Sequence, residues 1–388
     1  MFFASLLSTS FLVYPSASSL STSKSVTTSG IISQTANLPI LKGINIFIED
    51  WITWSLEVVE REVDDIKSRG FNFVRTGIMF YRFYDFNNKI VSPSLDPTCY
   101  NSTVAFMNTL KKNGLYLSVV PLEWGDYMYY LKRDWYTNSF FQGIISDYYQ
   151  AFSGWCRGMG WDNILYTSLW WEPEFYCEWY DGYYTLENNL PVYSQANADW
   201  RSWLSSRGKA SEDLTLASIN NNVGLYVLWS REVFTNITKL KSDAVKRGWT
   251  GMKVGSDVGF VNNPNNSPMY MPDAYLNLTA SQYLDVIEFH DYFPPGYADS
   301  PFVNAAKSLY KPIVMAEVGA SWWLGIDATT TAEWLSNVEP KMELMVNEGN
   351  GFAIWAWRDY SDFAWGMKDI NFIPRQVLSN ITEWFAGY

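Results

Sequence analysis

The sequence predicts an α/β protein that folds as a single (β/α)8 (TIM) barrel with an aromatic-rich insertion after the fourth strand. The first observation is a series of eight short segments rich in Val, Ile, Leu and Phe, each bounded by Gly, Pro, Asn or Asp. The second is that amphipathic helical segments alternate with these strands, which is the pattern of a parallel barrel. The alternative is an open doubly wound sheet, but that fold would need a glycine-rich phosphate-binding turn where the sequence reads Gly43-Ile44-Asn45.

The predicted elements follow one another in a regular order. The strands are 40–47, 71–78, 115–121, 164–171, 252–257, 286–292, 313–318 and 352–357. The helices between and after them are 56–69, 103–112, 140–157, 233–247, 301–309, 331–347 and 374–385. In the first helix, Leu56, Val59, Val63 and Ile66 recur at three- and four-residue spacing, and Gly70 follows as a helix-ending residue.

The N-terminal residues predict export. An apolar run too short to span a bilayer leads to Pro15-Ser16-Ala17, which is typical of a signal segment over 1–17, although no Lys or Arg precedes the run. Ser and Thr then dominate a linker over 18–36, and the barrel domain occupies 37–388. The glycosylation sequons are at Asn101, Asn236, Asn265, Asn277 and Asn380. We therefore expect a secreted glycoprotein without a stable membrane span.

Composition narrows the class of function. The chain has 28 basic and 40 acidic residues and no basic run, so we expect no nucleic-acid partner. It has a single histidine, His290, which argues against hydrolases whose metal is held by several histidines. We expect a monomer that needs no metal and no cofactor. Cys99, Cys156 and Cys177 allow one disulfide and a leftover thiol, or buried thiols that do not pair.

Aromatic residues make up 18% of the chain, which is more than one core can plausibly hide. Flat rings with a polar edge suit sugar faces as well as cores. Many of these residues lie in the insertion at about 174–222, which we expect to lie over the strand ends, partly as core cover and partly as a substrate groove.

Carboxylates and indoles dominate the predicted C-terminal strand ends, where barrel enzymes carry their active sites. Glu172 ends the fourth strand, Glu317 ends the seventh, and the two strands lie on opposite sides of the ring. A facing pair of carboxylates is what cleavage of a glycosidic bond needs, one as a neutral acid and the other as an ionised nucleophile or base. Glu288 shares a strand face with His290 and is expected to pair inside the barrel with Arg75 or a neighbour, because an unpaired interior carboxylate is costly.

Four of these strand ends resemble glycoside hydrolase clan A. They are Glu172-Pro173 on the fourth strand, His290-x-Tyr292 on the sixth, Glu317 on the seventh and a Trp on the eighth. Within the clan, the run LKGIN at 41–45 and the run GFNFVR at 70–75 are similar to glycoside hydrolase family 5, the cellulase and mannanase family. The resemblance covers about residues 40–385.

The resemblance implies roles for several residues. Glu172 is expected to be the general acid/base and Glu317 the nucleophile, with their carboxyl groups about 5 Å apart and retention of the anomeric configuration. Arg75 is expected to hydrogen-bond Glu317 and keep it ionised, and Tyr292 to donate to it. His290 is expected to contact the sugar or the acid/base.

Tryptophans complete the implied sugar site. Trp357 or Trp355 is expected to stack beneath the sugar, and Trp124, at the end of the third strand, is a further candidate sugar contact. Trp171 stands where family 5 has an Asn that binds the sugar 2-hydroxyl. We therefore expect either another donor, Asn45 or Glu123, or an unusual substrate.

The resemblance implies a secreted retaining β-glycoside hydrolase that acts on a polysaccharide or oligosaccharide. By analogy with the family, the expected action is endo-hydrolysis of a β-1,4-linked glucan or mannan. The alternatives are an exo-acting β-glycosidase, a non-catalytic carbohydrate-binding barrel, and an isomerase or lyase on the same scaffold.

Overall fold

Eight parallel strands close into a ring in the computed structural model. The structure describes residues 38–46, 51–122, 139–169, 194–256, 282–292, 303, 306–319, 326–359, 364 and 366–387. The barrel strands are β1 Leu41–Ile46, β2 Phe73–Ile78, β3 Tyr116–Pro121, β4 Ile164–Ser168, β5 Lys253–Ser256, β6 Val286–Asp291, β7 Ile313–Gly319 and β8 Gly351–Trp355. Each strand pairs in parallel with its sequence neighbours, and β8 pairs with β1. The predicted (β/α)8 barrel is therefore confirmed, strand by strand.

Helices follow most of the strands. They are α1 Leu56–Ser68, α2 Pro97–Lys112, α3 Ser139–Gly158, α4 Ser194–Ser206, α5 Leu216–Asn221, α6 Val223–Gly248, α7 Thr331–Glu348 and α8 Gln376–Gly387. A short 3-10 helix, Phe80–Phe83, and a small antiparallel hairpin of Tyr84–Asp85 with Ile90–Val91 lie between β2 and α2. Of the helix predicted at 301–309, only residues 303 and 306–309 lie within the described ranges.

Local sequence signals begin and end the first two helices. The Ser55 hydroxyl accepts a hydrogen bond from the Val58 amide at the start of α1, a cap that contributes about 1 kcal/mol. Asp96 caps α2 through the Cys99 amide, and Pro97 occupies the first turn. Gly70 follows α1 with a φ of +90°, a conformation that glycine adopts at little cost.

The core has two layers. One fills the interior of the barrel and consists of Leu38, Leu41, Phe73, Tyr166, Val286, Val314 and Ala353. The other lies between the outer faces of the strands and the surrounding helices, and it contains most of the buried aromatic side chains. Successive residues of a strand face opposite layers. The inward positions at the C-terminal ends of the strands can therefore carry polar side chains while the outward positions pack against the helices.

The aromatic side chains at the end of the insertion and the start of α6 pack against one another. Trp200 is fully buried, stacks on Trp203 at 5.8 Å and meets Trp229 edge-on at 5.4 Å. The indole of Trp229 donates to Asp199 at 2.7 Å, and that of Trp203 donates to Glu232 at 2.8 Å. These rings are core cover, so the expected substrate groove does not include them. The same packing explains why α6 begins ten residues before the predicted position 233.

Two of the three cysteines lie within the described residues. Cys99 and Cys156 are buried free thiols, so the predicted possibility of a disulfide between them is excluded, and Cys177 lies outside the described residues. Burial raises the pKa of the Cys99 thiol to about 11 and raises that of Cys156 well above its usual value. In the described part of the chain, no helix combines the length and hydropathy needed to cross a bilayer.

Candidate active site

Glu317 faces the barrel interior because β7 contains an irregularity. Strand alternation alone would place Val314 and Glu317, three residues apart, on opposite faces, yet Val314 belongs to the interior layer and Glu317 contacts the interior side chain of Arg75. The register of β7 shifts against both neighbours at this point, so that Glu317 lies opposite His290. A bulge of this kind re-aims a side chain, and such bulges are common beside active sites.

The carboxylate of Glu317 is held by partners from two other strands. Its Oε1 accepts a hydrogen bond from Arg75 Nη1 at 2.7 Å and lies 3.4 Å from His290 Nε2, while its Oε2 accepts from the hydroxyl of Tyr292. The side chain of Glu317 is only 3% exposed, and that of Arg75 is fully buried. Both contacts expected from the resemblance, Arg75 to Glu317 and Tyr292 to Glu317, are present.

Asn45 supports this arrangement and has no group left for a ligand. Its side-chain amide donates to the carbonyl of Ala316 at 2.9 Å, at the irregularity of β7, and approaches the carbonyls of Ala353 and Ile354 at 3.3 Å. Its Oδ1 accepts from Arg75 at 3.1 Å. This corrects the expectation that Asn45 could replace the missing sugar 2-hydroxyl donor, because the residue is buried and its polar atoms are engaged.

Glu288 lies inside the barrel on the same strand face as His290. Its Oε2 accepts a hydrogen bond from the Ser168 hydroxyl at 2.7 Å, and its Oε1 lies 4.0 Å from Arg75 Nε. Burial and the negative charge of Glu288 raise the pKa of the nearby Tyr166 hydroxyl. The predicted interior pairing of Glu288 with Arg75 is present, whereas Ser168 carries no sequence signal that distinguishes it from other strand serines.

The two tryptophans of the eighth strand end in different places. Trp355 has the same alternation as the interior Ala353, and a Cβ added at Gly319 would lie 3.5 Å from the Trp355 Cβ and 3.3 Å from the Tyr292 ring. Trp357 is fully buried in the outer layer, where its indole donates to Glu62 of α1 at 2.9 Å. Trp357 therefore does not fit the predicted sugar platform, since a ring enclosed by helix α1 offers no face to a ligand.

The end of β4 is held from outside the barrel. The carbonyl of Leu169 accepts hydrogen bonds from Tyr149 Oη at 2.9 Å and from the buried Lys241 Nζ at 3.1 Å. Glu172 follows three residues later, and β4 lies three positions from β7 around the ring. Sequence reasoning missed Lys241, although a lysine one turn from the buried Ile237 and Val245 is an unusual pattern.

The end of β6 is likewise held from outside the barrel. Asp291 points away from His290 and Tyr292, and its side chain and carbonyl accept hydrogen bonds from Lys341 Nζ of α7 at 3.1 and 3.3 Å.

Four predicted site residues lie outside the described residues and stay predictions. They are Glu172, Trp171, Trp124 and the alternative donor Glu123.

Comparisons with known proteins agree with the fold. No protein-family model matches the sequence, and no curated protein matches it. Solved structures do match, among them an exo-β-1,4-mannosidase from Opitutaceae bacterium strain TAV5, at 13% identity and a TM-score of 0.57, over 92% of this chain and 62% of that one. The chain thus spans about three-fifths of that mannosidase.

Two further matches cover most of both chains. A glycoside hydrolase of family 5, subfamily 18, from Streptomyces cattleya in complex with GlcNAc has 12% identity and a TM-score of 0.54, over 88% and 78% of the chains. A β-glucosidase from Thermotoga maritima has 11% identity and a TM-score of 0.55, over 90% and 98%. In fold, the chain is therefore similar to barrel β-glycosidases of glycoside hydrolase clan A, the clan that its sequence resembles.

Proposed function

We propose that the protein is a retaining β-glycoside hydrolase with Glu317 as the nucleophile and Glu172 as the general acid/base. The observation that carries the proposal is the Glu317 carboxylate, which is nearly buried at the C-terminal end of a barrel strand with Arg75 on one oxygen and Tyr292 on the other. An ionised carboxylate with so little exposure is costly unless it is paired and hydrogen-bonded, and here it is both.

In the first step, a Glu317 oxygen attacks the anomeric carbon while the bond from that carbon to the leaving oxygen breaks. Glu172 gives its proton to the leaving oxygen, and a covalent glycosyl ester forms on Glu317. Arg75 and Tyr292 hold the attacking group in one orientation, which lowers the entropic part of the barrier.

In the second step, Glu172, now a carboxylate, removes a proton from water, and the water oxygen attacks the anomeric carbon. The ester bond to Glu317 breaks and its carboxylate returns to Arg75 and Tyr292. Two inversions give net retention. The single imidazole, His290, lies against the same carboxylate and adds to its positive surroundings if it is protonated.

The proposed substrate is a β-1,4-linked glucoside or mannoside. Trp355 is the proposed platform beneath the sugar, with Trp124 and Trp171 as further contacts. Endo action remains the prediction from family resemblance. Exo action is the second candidate, because one structural neighbour is described as an exo-β-1,4-mannosidase and the Trp200 cluster packs as core.

The test is release of reducing sugar from a panel of pure β-glucans, β-mannans and chromogenic β-glycosides. We expect hydrolysis by the natural chain and loss of at least about a thousandfold in kcat for both Glu172→Gln and Glu317→Gln. Product sizes separate the modes, since endo action gives a ladder and exo action a single small sugar. Sugar binding without turnover would instead establish a carbohydrate-binding barrel. A product without a new reducing end would indicate an isomerase, and a product with a new carbon–carbon double bond would indicate a lyase.

We also propose that the protein is exported, on the strength of the apolar run and the Ser/Thr-rich linker that follows it. Expression in a secreting host should yield protein in the medium whose N-terminus lies near residue 18. Full-length protein retained in the cells would contradict export.

A further inference from the structure

We propose that Glu288 is a positioning residue that competes with Glu317 for Arg75 and thereby sets the pH range in which Glu317 is an effective nucleophile. The inference rests on the function proposed above, and it assigns a task to an interior carboxylate that the double-displacement steps do not use.

Arg75 lies between the two carboxylates. Its Nη1 donates to Glu317 Oε1 at 2.7 Å, and its Nε lies 4.0 Å from Glu288 Oε1. The side chains of Arg75 and Glu288 are fully buried, and Glu317 is 3% exposed. Solvent screening between these groups is therefore weak, and a change of charge on one carboxylate is felt by the other.

Two strands near β6 accommodate the side chain of Glu288. The Ser168 hydroxyl on β4 donates to its Oε2 at 2.7 Å. The adjacent strand β5 carries Gly255, where an added Cβ would lie 2.6 Å from the same oxygen. Glycine at this position leaves the space that the carboxylate occupies, so the neighbouring strands accommodate Glu288 specifically.

In the described interior around Glu288, carboxylates outnumber permanent cations. The titratable side chains that the described strands direct toward Glu288 are Arg75 on β2, Tyr166 on β4, His290 on β6 and Glu317 on β7, and Tyr292 follows β6. Lys253 of β5 is partly exposed and lies two residues nearer the N-terminal end of the barrel than Gly255, which adjoins Glu288. Among the described groups that face Glu288, Arg75 is therefore the one permanent cation, and it faces two carboxylates. An ionised Glu288 draws on the same guanidinium and so weakens its hold on Glu317.

The principal test is the pH profile of kcat/KM in the Glu288→Gln variant. Removing the competing charge makes Glu317 easier to ionise, so the acidic limb should move to lower pH by roughly 0.5 to 1 unit. Glu288→Asp keeps the charge and should keep the limb near its natural position even if it lowers stability. An unchanged limb in Glu288→Gln would overturn the proposal, because a merely structural residue, or one that is already neutral, would not move it.

A second variant keeps the question open to test if Glu288→Gln does not fold. Ser168→Ala removes the hydroxyl that stabilises the ionised form of Glu288, so it should move the limb in the same direction by a smaller amount. A shift to higher pH in Ser168→Ala would contradict the account.

A thermal double-mutant cycle tests the sharing of Arg75 without any substrate. Glu288→Gln and Glu317→Gln each leave Arg75 one carboxylate, whereas the double variant leaves a buried guanidinium with neither. We expect the double variant to lose more in Tm than the sum of the single losses. Glu333→Gln, at an exposed position on α7, should add with Glu317→Gln and serves as the control.

The two proposals fail separately. If the natural chain hydrolyses no β-glycoside, the proposed function fails, while non-additive melting would still show that Glu288 and Glu317 share Arg75. If the natural chain is active but the limb does not move and melting is additive, the role of Glu288 alone is refuted.

Discussion

At the scale of single residues, the site depends on strand ends that are far apart in the sequence. Arg75, Tyr292 and Glu317 meet as the order of the strands predicts, because the C-terminal ends of barrel strands share one face. Alternation along β7 would place Glu317 on the outside, and only the register shift that Asn45 supports brings it inside. A bulge depends on neighbouring strands, so this detail could not be predicted from the segment alone.

Tyr292→Phe should lower kcat/KM while leaving the fold intact. The change removes one hydrogen bond to a charged oxygen of Glu317, a loss of roughly 10- to 100-fold if that bond contributes in the transition state. Steady-state kinetics and thermal melting check it. Tyr310→Phe, at an exposed position, is the matched control and should change neither. Equal rates in both variants would show that the contact is not used.

Trp355 and Trp357 should differ in their effect on substrate binding. Trp355→Ala should raise KM about tenfold or more by removing the proposed platform, and it should also lower Tm because Trp355 is only 9% exposed. Trp357→Phe should lower stability by about 1–3 kcal/mol, since Glu62 loses a buried donor, and should leave KM unchanged. Kinetics and chemical denaturation of both variants provide the measurement. A raised KM in Trp357→Phe with an unchanged KM in Trp355→Ala would indicate that Trp357, and not Trp355, is the platform.

At the scale of elements, helices α3 and α6 approach closely where both carry small residues. The Ser153 hydroxyl of α3 donates to the Val245 carbonyl of α6 at 2.9 Å, and the backbone of Gly248 lies beside Gly154. The length of α6 was underestimated from sequence because Tyr226 and Trp229 pack on the insertion, a tertiary contact that hydrophobic periodicity within the helix does not reveal.

Gly248→Ala should destabilise the protein by about 1–3 kcal/mol, because its Cβ would lie 2.1 Å from the Ser153 hydroxyl and 2.2 Å from the Gln150 carbonyl. Gly143→Ala, in α3 with open space around it, is the control and should stabilise by up to about 1 kcal/mol. Urea unfolding measures both. A neutral Gly248→Ala would mean that the two helices can separate without cost.

At the scale of the whole molecule, the sequence was sufficient for the barrel because each strand and most helices carry their own signals. The prediction that many of the aromatic residues line a substrate groove was less successful. Composition cannot distinguish a ring that lines a groove from one that fills a layer between strands and helices, and Trp200, Trp229 and Trp357 do the latter.

Stability should fall as the pH rises above 9. Burial holds the pKa of Cys99 at about 11, against 9.0 for an ordinary thiol, and raises that of Cys156 as well. Folding therefore keeps both thiols protonated, so their contribution is complete below pH 9 and is lost as the pH rises through the folded-state value. Urea unfolding at pH 8, 9 and 10 measures the slope. The Cys99→Ala/Cys156→Ala variant should show a shallower slope, and an identical slope would contradict the assignment.

Covalent trapping tests the central claim about Glu317 most directly. A 2-deoxy-2-fluoro-β-glycoside with a good leaving group, in gluco and manno forms, should form a glycosyl ester that hydrolyses slowly. Intact-mass and peptide mass spectrometry should then find one added sugar, on Glu317, and none in Glu317→Gln. A sugar attached to any other carboxylate, or turnover of the reagent to the inverted anomer, would contradict the account.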